Sequence, residues 1–182
     1  LQIYETISTT ITARVAAGTG TVTGTVSAEL PYKDLTLLQN TVLHVDADNP
    51  TAGLLAPESG AVLRGTSYVA GGPALDSGSW VTRVELGIGP NASTLTYRDA
   101  EGISPWAYGW TLPTDGVYTL QARAWDAVGH SVLSPAASVT VDNTPPSAAL
   151  STSGFVTGVT DTIRLSGMAT DNLSGVGRVQ IS

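Results

Sequence analysis

Val141-Asp142-Asn143-Thr144-Pro145-Pro146 restates, 96 residues further on, the segment Val45-Asp46-Ala47-Asp48-Asn49-Pro50. The Val-Asp dipeptide and the proline both return. Two more matches follow in the same order: Gly72-Pro73-Ala74-Leu75-Asp76 with Gly167-Met168-Ala169-Thr170-Asp171, and Arg83-Val84-Glu85-Leu86 with Arg178-Val179-Gln180-Ile181, each displaced by 95. A single hexapeptide matches by chance. Three matches in order, at displacements differing by one residue, mark an internal repeat.

Between these markers, strand signals arrive at short, regular spacing. Thr66 to Ala70 is one run. From Trp80 to Ile88 the alternation predicts Trp80, Thr82, Val84, Leu86 and Ile88 on the inner face, with Val81, Arg83, Glu85 and Gly87 outside. Gly89-Pro90-Asn91 breaks the run and Thr94 to Arg98 resumes it. Trp106, Tyr108 and Trp110 alternate with Ala107 and Gly109 and are expected in the core. The turn Pro113-Thr114-Asp115-Gly116 leads into Tyr118, Leu120, Ala122 and Ala124 on one face, with Gln121 and Arg123 opposite, and Val132 to Asp142 closes the set. Tyr118, just after a turn at the start of a penultimate strand, suits a tyrosine corner as well as an ordinary core position.

A period near 95 residues with strands this dense predicts an all-β chain of tandem immunoglobulin-like (Greek-key) β-sandwiches, one complete and two partial. Residues 1–46 would be the closing strands of one module, 47–144 a complete module, and 145–182 the opening strands of a third.

Composition agrees. Only 13% of residues are charged, which leaves no material for long amphipathic helices with charged outer faces. Eight basic residues, among them the single lysine Lys33, stand against fifteen acidic ones, a net charge of −7 that disfavours a nucleic-acid partner. Without cysteine there is neither a disulfide nor a thiolate ligand or nucleophile. No apolar run reaches the 18 residues of a membrane span. The chain begins at Leu1 without an initiator methionine or signal segment and ends inside a predicted strand, so it is expected to be a processed product or a window on a longer chain.

The segment Trp106 to Trp110, the turn Pro-Thr-Asp-Gly, the stretch Tyr118-Thr-Leu-Gln-Ala-Arg-Ala-Trp-Asp-Ala-Val-Gly129 and the closing Val-Thr-Val-Asp-Asn-Thr-Pro-Pro together resemble the tandem Ig-like repeats of large bacterial cell-surface and extracellular proteins. Ile11 to Val45, with its Gly/Thr/Val alternation, is similar to the end of a related surface repeat. The resemblance implies an extracellular or cell-surface location and work as a stalk, adhesin or filament component, with neighbouring modules or identical subunits as partners. It implies no enzyme activity.

The residues themselves offer few chemical sites. His44 and His130 lack a Gly-x-Ser-x-Gly elbow, so no catalytic residue is assigned. Calcium is the one cofactor with a pattern behind it: Asp46 and Asp48, with Asn49, occupy one linker, Asp142 with Asn143 the next, and Asp76 and Asp171 sit at matching loop positions that would meet those linkers. The same residues also cap turns, and both readings fit. Asn91-Ala92-Ser93 and Asn172-Leu173-Ser174 are glycosylation sequons in predicted loops. The middle module has no lysine, which excludes lysine isopeptide locking there. Arg123 and Trp125 share a face and suit an interface; cover by a neighbouring module or loop suits Trp125 equally.

Two functions follow. One is a non-catalytic structural module of an extracellular bacterial surface protein, assembled head to tail by strand complementation or as one long chain. The other is a glycan- or protein-binding accessory module of a larger secreted enzyme, with a glycan or host-surface protein as partner.

Overall fold

Residues 20–30, 35–151 and 165–181 are described in the computed structural model. Ile11 to Thr19 of the Gly/Thr/Val segment, and Lys33, lie outside them. All regular structure among the described residues is β: β1 (Gly20–Leu30) and β2 (Leu35–Val45), then β3 (Thr51–Ala52), β4 (Val62–Leu63), β5 (Ser67–Gly72), β6 (Ala74–Leu75), β7 (Val81–Gly89), β8 (Thr96–Asp99), β9 (Glu101–Gly102), β10 (Trp106–Thr111), β11 (Gly116–Asp126), β12 (Ser131–Leu133) and β13 (Ala137–Val141), and last β14 (Ser147–Leu150) and β15 (Gly167–Thr170).

The strands from β3 to β13 make two facing sheets and a short β3–β6 pair. One runs β5-β10-β9, and the other β4-β13-β11-β7-β8 with β12 beside β11. Pairings such as β5 with β10 and β7 with β11 join strands far apart in the chain, the Greek-key wiring of an immunoglobulin-like sandwich. The opening segment serves both sheets. Residues 51–56 run along 71–75, with Gly53 N donating to the Pro73 carbonyl at 2.8 Å and Gly71 N to the Ala56 carbonyl at 2.8 Å. After Pro57 the chain crosses to the other sheet, where β4 pairs in parallel with β13. Gly72 is where backbones meet closely: a Cβ there would stand 2.2 Å from the Gly53 carbonyl oxygen.

The core lies between the sheets. Leu120, Ala122 and Ala124 of β11 and Val84 and Leu86 of β7 face Ala70, Trp106 and Trp110. Trp106 is buried, and its indole Nε1 donates to the Gly53 carbonyl at 3.1 Å, which fastens the opening segment to the core. Trp110 and Tyr118 meet edge to face at 5.8 Å between centroids, and the Tyr118 hydroxyl donates to the Thr114 carbonyl at 2.7 Å. Tyr118 therefore makes the tyrosine corner.

The structure corrects the expected faces of β7. Val84 and Leu86 point inward as predicted, but Trp80 is 68% exposed, Thr82 is exposed and Val81 is buried. The cause is a bulge: Trp125 lies opposite Arg83 and Asp126 opposite Val81, so Thr82 is the extra residue and the alternation inverts across it. The Thr82 hydroxyl bonds the carbonyls of Trp125 and Asp126, at 3.2 and 3.0 Å. The predicted closing strand is likewise split at Ser134-Pro135-Ala136, and the Ser134 hydroxyl takes the Ala122 N–H at 3.0 Å in place of a backbone carbonyl.

Two further pairs repeat registers of the sandwich. β1 sets Gly20 opposite Val45, as β11 and β13 set Gly116 opposite Val141. β14 sets Ser147 opposite Thr170, as β3 and β6 set Thr51 opposite Leu75.

A paired substitution tests the core. Trp106→Ala should lower unfolding free energy by about 3–5 kcal/mol, as large aromatic truncations in cores do, while Trp80→Ala should change it by about 0.5 kcal/mol or less. Urea denaturation followed by circular dichroism reads both.

Candidate functional site

Described carboxylates concentrate in three places: the linker before the sandwich, the linker after it, and the outer face of the larger sheet. In the first linker, Asp46 Oδ1 accepts the Asp48 N–H at 2.9 Å, and the Ser77 hydroxyl donates to Asp48 Oδ2 at 3.3 Å. Asp76 rigidifies the loop that carries Ser77, its Oδ2 taking the Gly78 N–H at 3.0 Å and the Ser79 hydroxyl at 3.2 Å. Asp76 Oδ1 is buried without a hydrogen-bond partner.

The second linker repeats this chemistry. Asp142 Oδ1 accepts the Thr144 N–H at 3.1 Å, and Asp142 Oδ2 accepts the Ser174 N–H at 2.9 Å. Asp171 takes the N–H groups of Leu173 and Gly175 at 3.1 and 2.8 Å. In each joint one aspartate turns the linker while a second shapes the loop that reaches it. The second joint has an extra clamp. Asp115, in the turn before β11, accepts the Asn143 N–H at 2.7 Å and the Thr144 hydroxyl at 2.5 Å. Hydrogen bonds, first from the Thr144 hydroxyl, then from the Asn143 N–H and also from the Asn172 side chain, hold the Asp115 carboxyl below the usual aspartate value. Asp171 is lowered too, first by the Leu173 N–H and then by that of Gly175.

The sequence assigns His130 no role; the structure gives it a contact to the first linker. His130 Nδ1 lies 2.8 Å from the Asp48 carbonyl and 2.8 Å from Asp126 Oδ2, joining the turn after β11 to the first linker. Both partners are acceptors, so Nδ1 carries a proton. The Asp126 side chain is fully buried, and its Oδ1 receives the N–H groups of Val128, Gly129 and His130. Burial works against the imidazolium, yet Asp126, the Asp48 carbonyl and Asp46 outweigh it and raise the His130 pKa. No spacing in the chain announces this contact, because residues 48 and 130 meet only when the sandwich closes.

The five aspartates singled out for calcium divide between the two joints. Asp46, Asp48 and the Asp76 loop belong to the first joint, Asp142 and Asp171 to the second. Asp46, Asp126 and His130 present ligand atoms within 4.8 Å of one another. A hard cation at the first joint would draw on these carboxylates and the Asp48 carbonyl, in competition with the donors that Asp126 already holds.

On the outer face, Glu85, Arg83, Arg123, Trp125 and Tyr97 form one cluster. Arg123 lies 4.2 Å from the Tyr97 ring centroid and 5.2 Å from that of Trp125, and Arg83 lies 5.0 Å from Trp125. Glu85 Oε2 accepts from Arg123 Nε at 2.8 Å and from Trp125 Nε1 at 2.9 Å. Burial would raise the Glu85 pKa, but the Trp125 and Arg123 hydrogen bonds outweigh it and the net shift is downward. Tyr97 lies flat over Gly87, where a Cβ would come within 2.7 Å of the ring. Trp125 is thus covered in part by side chains of its own sheet.

Of the sequons, Asn91 sits exposed in the turn after β7, its Oδ1 accepting the Ser93 N–H at 3.0 Å, whereas Asn172 lies at the second joint. His44 lies on β2. No helix among the described residues is long and apolar enough to cross a membrane.

No protein family and no curated protein matches the chain. Among solved structures, an engineered protein is 20% identical over 53% of this chain with a TM-score of 0.41, and the chain spans 20% of that protein's length. Fibronectin(III)-like modules of Clostridium thermocellum CbhA are 25% identical over 48% of this chain and 91% of theirs, with a TM-score of 0.38.

The two joints respond to pH in opposite directions. The folded pKa of His130 lies above its ordinary 6.5, so its charged contribution is complete below that value and is lost as pH rises through the folded pKa. The melting temperature of the native chain should exceed that of His130→Gln by more at about pH 5.5 than at about pH 8.5, values chosen either side of the imidazole range. Asp115 is depressed below 3.8, so its contribution is present above that value and disappears as pH falls through the folded pKa. The melting difference between the native chain and Asp115→Asn should therefore close on acidification. Scanning calorimetry across pH measures both.

Proposed function

We propose that this chain is a non-catalytic structural stretch of a tandem immunoglobulin-like array in an extracellular bacterial surface protein, a stalk or spacer whose joints are semi-rigid. The observation that carries this reading is the repeated joint. Asp46 on Asp48 N and Asp142 on Thr144 N are the same hydrogen bond 96 residues apart, and Ser77 and Ser174 reach the respective linkers from equivalent loops. A linker held by carboxylates on backbone N–H groups limits bending more than a free Gly/Ser tether does. The array also provides neighbouring modules as partners without any pocket chemistry.

A second reading, a glycan- or protein-binding accessory module, draws on the Trp125 face. There the indole is already engaged by two guanidinium groups and donates its N–H to Glu85. A sugar stacking on that ring would have to displace an arginine.

Small-angle scattering tests the structural reading. Asp142→Ala combined with Asp115→Ala should broaden the distribution of interatomic distances at neutral pH, while the sandwich core, which these linker hydrogen bonds do not enter, still unfolds cooperatively with its melting temperature lowered by only about a few degrees. An unchanged distribution would count against a joint held by these residues. Titration with a glycan panel, followed by Trp fluorescence, should stay flat.

A further inference from the structure

Asn91-Ala92-Ser93 and Asn172-Leu173-Ser174 carry the same acceptor pattern, yet the fold treats them differently. Asn91 lies in the connection between β7 and β8, which closes with Ile88 opposite Thr96. Residues 91–94 turn there and are exposed without a break. Asn91 Oδ1 accepts the Ser93 N–H at 3.0 Å and the Thr94 hydroxyl at 3.1 Å, and the Asn91 carbonyl accepts the Thr94 N–H at 3.2 Å. The side chain is therefore held by its oxygen alone. Its amide nitrogen Nδ2 and the Ser93 hydroxyl make no hydrogen bond among the described residues, and both belong to exposed residues.

The second sequon is exposed as well, but its polar groups are engaged. The Asn172 side chain donates to the Asp115 carboxylate. The Ser174 N–H donates to Asp142 Oδ2 at 2.9 Å, and the Ser174 hydroxyl to Asp171 Oδ1 at 3.5 Å. Hydrogen bonds to an ionised carboxylate are stronger than neutral ones. An enzyme that took up Asn172 would have to draw its amide away from Asp115 and pull Ser174 off the second linker. At Asn91 nothing outside the turn itself would have to move.

We infer that Asn91 is a glycan attachment site and that Asn172 is closed to the same chemistry while the second joint is formed. The donor is a sugar activated as a glycosyl diphosphate. In the transfer, Asn91 Nδ2 bonds to the sugar C1 as the bond from C1 to the diphosphate oxygen breaks. The diphosphate leaves with the bonding pair, and Nδ2 gives up one of its two protons to a base of the transferase. The attached sugar would stand beside the start of β8, the terminal strand of the larger sheet. A bulky, solvated group there obstructs pairing of that edge with a strand of another chain. The assignment needs only the exposed loop and is independent of the array reading.

The full chain can be incubated with UDP-glucose and a soluble asparagine glycosyltransferase that accepts Asn-x-Ser. Synthetic peptides of residues 86–98 and 167–179, run beside it, give the enzyme's own preference for each sequence. Intact mass and peptide mapping locate the sugars. Relative to the peptides, transfer to Asn91 of the folded chain should exceed transfer to Asn172 by about tenfold or more, the factor imposed by breaking one hydrogen bond to a charged group. Asn91→Gln and Ser93→Ala should each remove the fast transfer. Ser93→Ala keeps the backbone N–H that Asn91 Oδ1 accepts, so its loss reports the acceptor pattern and not the turn. Asp115→Ala, which frees the Asn172 amide, should narrow the ratio. Near-ultraviolet circular dichroism from buried Trp106 and Trp110 shows that each variant is folded. Equal relative transfer at the two sites, or no transfer to Asn91 of the folded chain, overturns the assignment, and a ratio unmoved by Asp115→Ala overturns the closure of Asn172. None of these readouts measures the bending of the joints, so the array reading stands or fails separately.

Discussion

Everything else in the molecule depends on the inner face of β11. Leu120, Ala122 and Ala124 are wholly buried at alternate positions, and two of the three are as small as a side chain with a Cβ can be. A strand with one large and two small inner residues lets the opposite sheet place Trp106 and Trp110 against it. β11 is also paired on both edges, with β7 on one side and β12 and β13 on the other. Disturbing it therefore costs packing and ladder hydrogen bonds together.

The ends of this strand govern the joints. Before β11, Asp115 clamps Asn143 and Thr144; after β11, Asp126 orders the turn that points His130 at the first linker. The same strand that organises the core thus positions the groups holding the linkers. Its outer face carries Arg123 and Trp125, whose hydrogen bonds to Glu85 lock β7 beside it. Burying Glu85 is sustained only because these donors surround it, and truncating one of them would leave a buried carboxylate underpaired.

Much of the architecture was legible. The alternation through β10 and β11 and the turn before Tyr118 are local patterns, and local patterns survive folding because side chains alternate with period two on any strand. The reading failed at Trp80 and at the split closing strand. A bulge at Thr82 and a break at Pro135 each insert residues that a strict alternation cannot anticipate, since a bulge is stabilised by its partner strand and not by its own sequence.

By itself, then, the sequence determined the β character, the inner row of β11 and the placing of aspartates in linkers and turns. Only the tertiary structure decided which of those aspartates meet. Asp46, Asp126 and His130 are brought together by the closing of two sheets, and Asp115 reaches Thr144 because β11 and β13 run side by side. The linker contacts of Asp115 and His130 join residues 28 to 82 positions apart, and contacts at that separation are set by topology, which the composition of a loop does not encode.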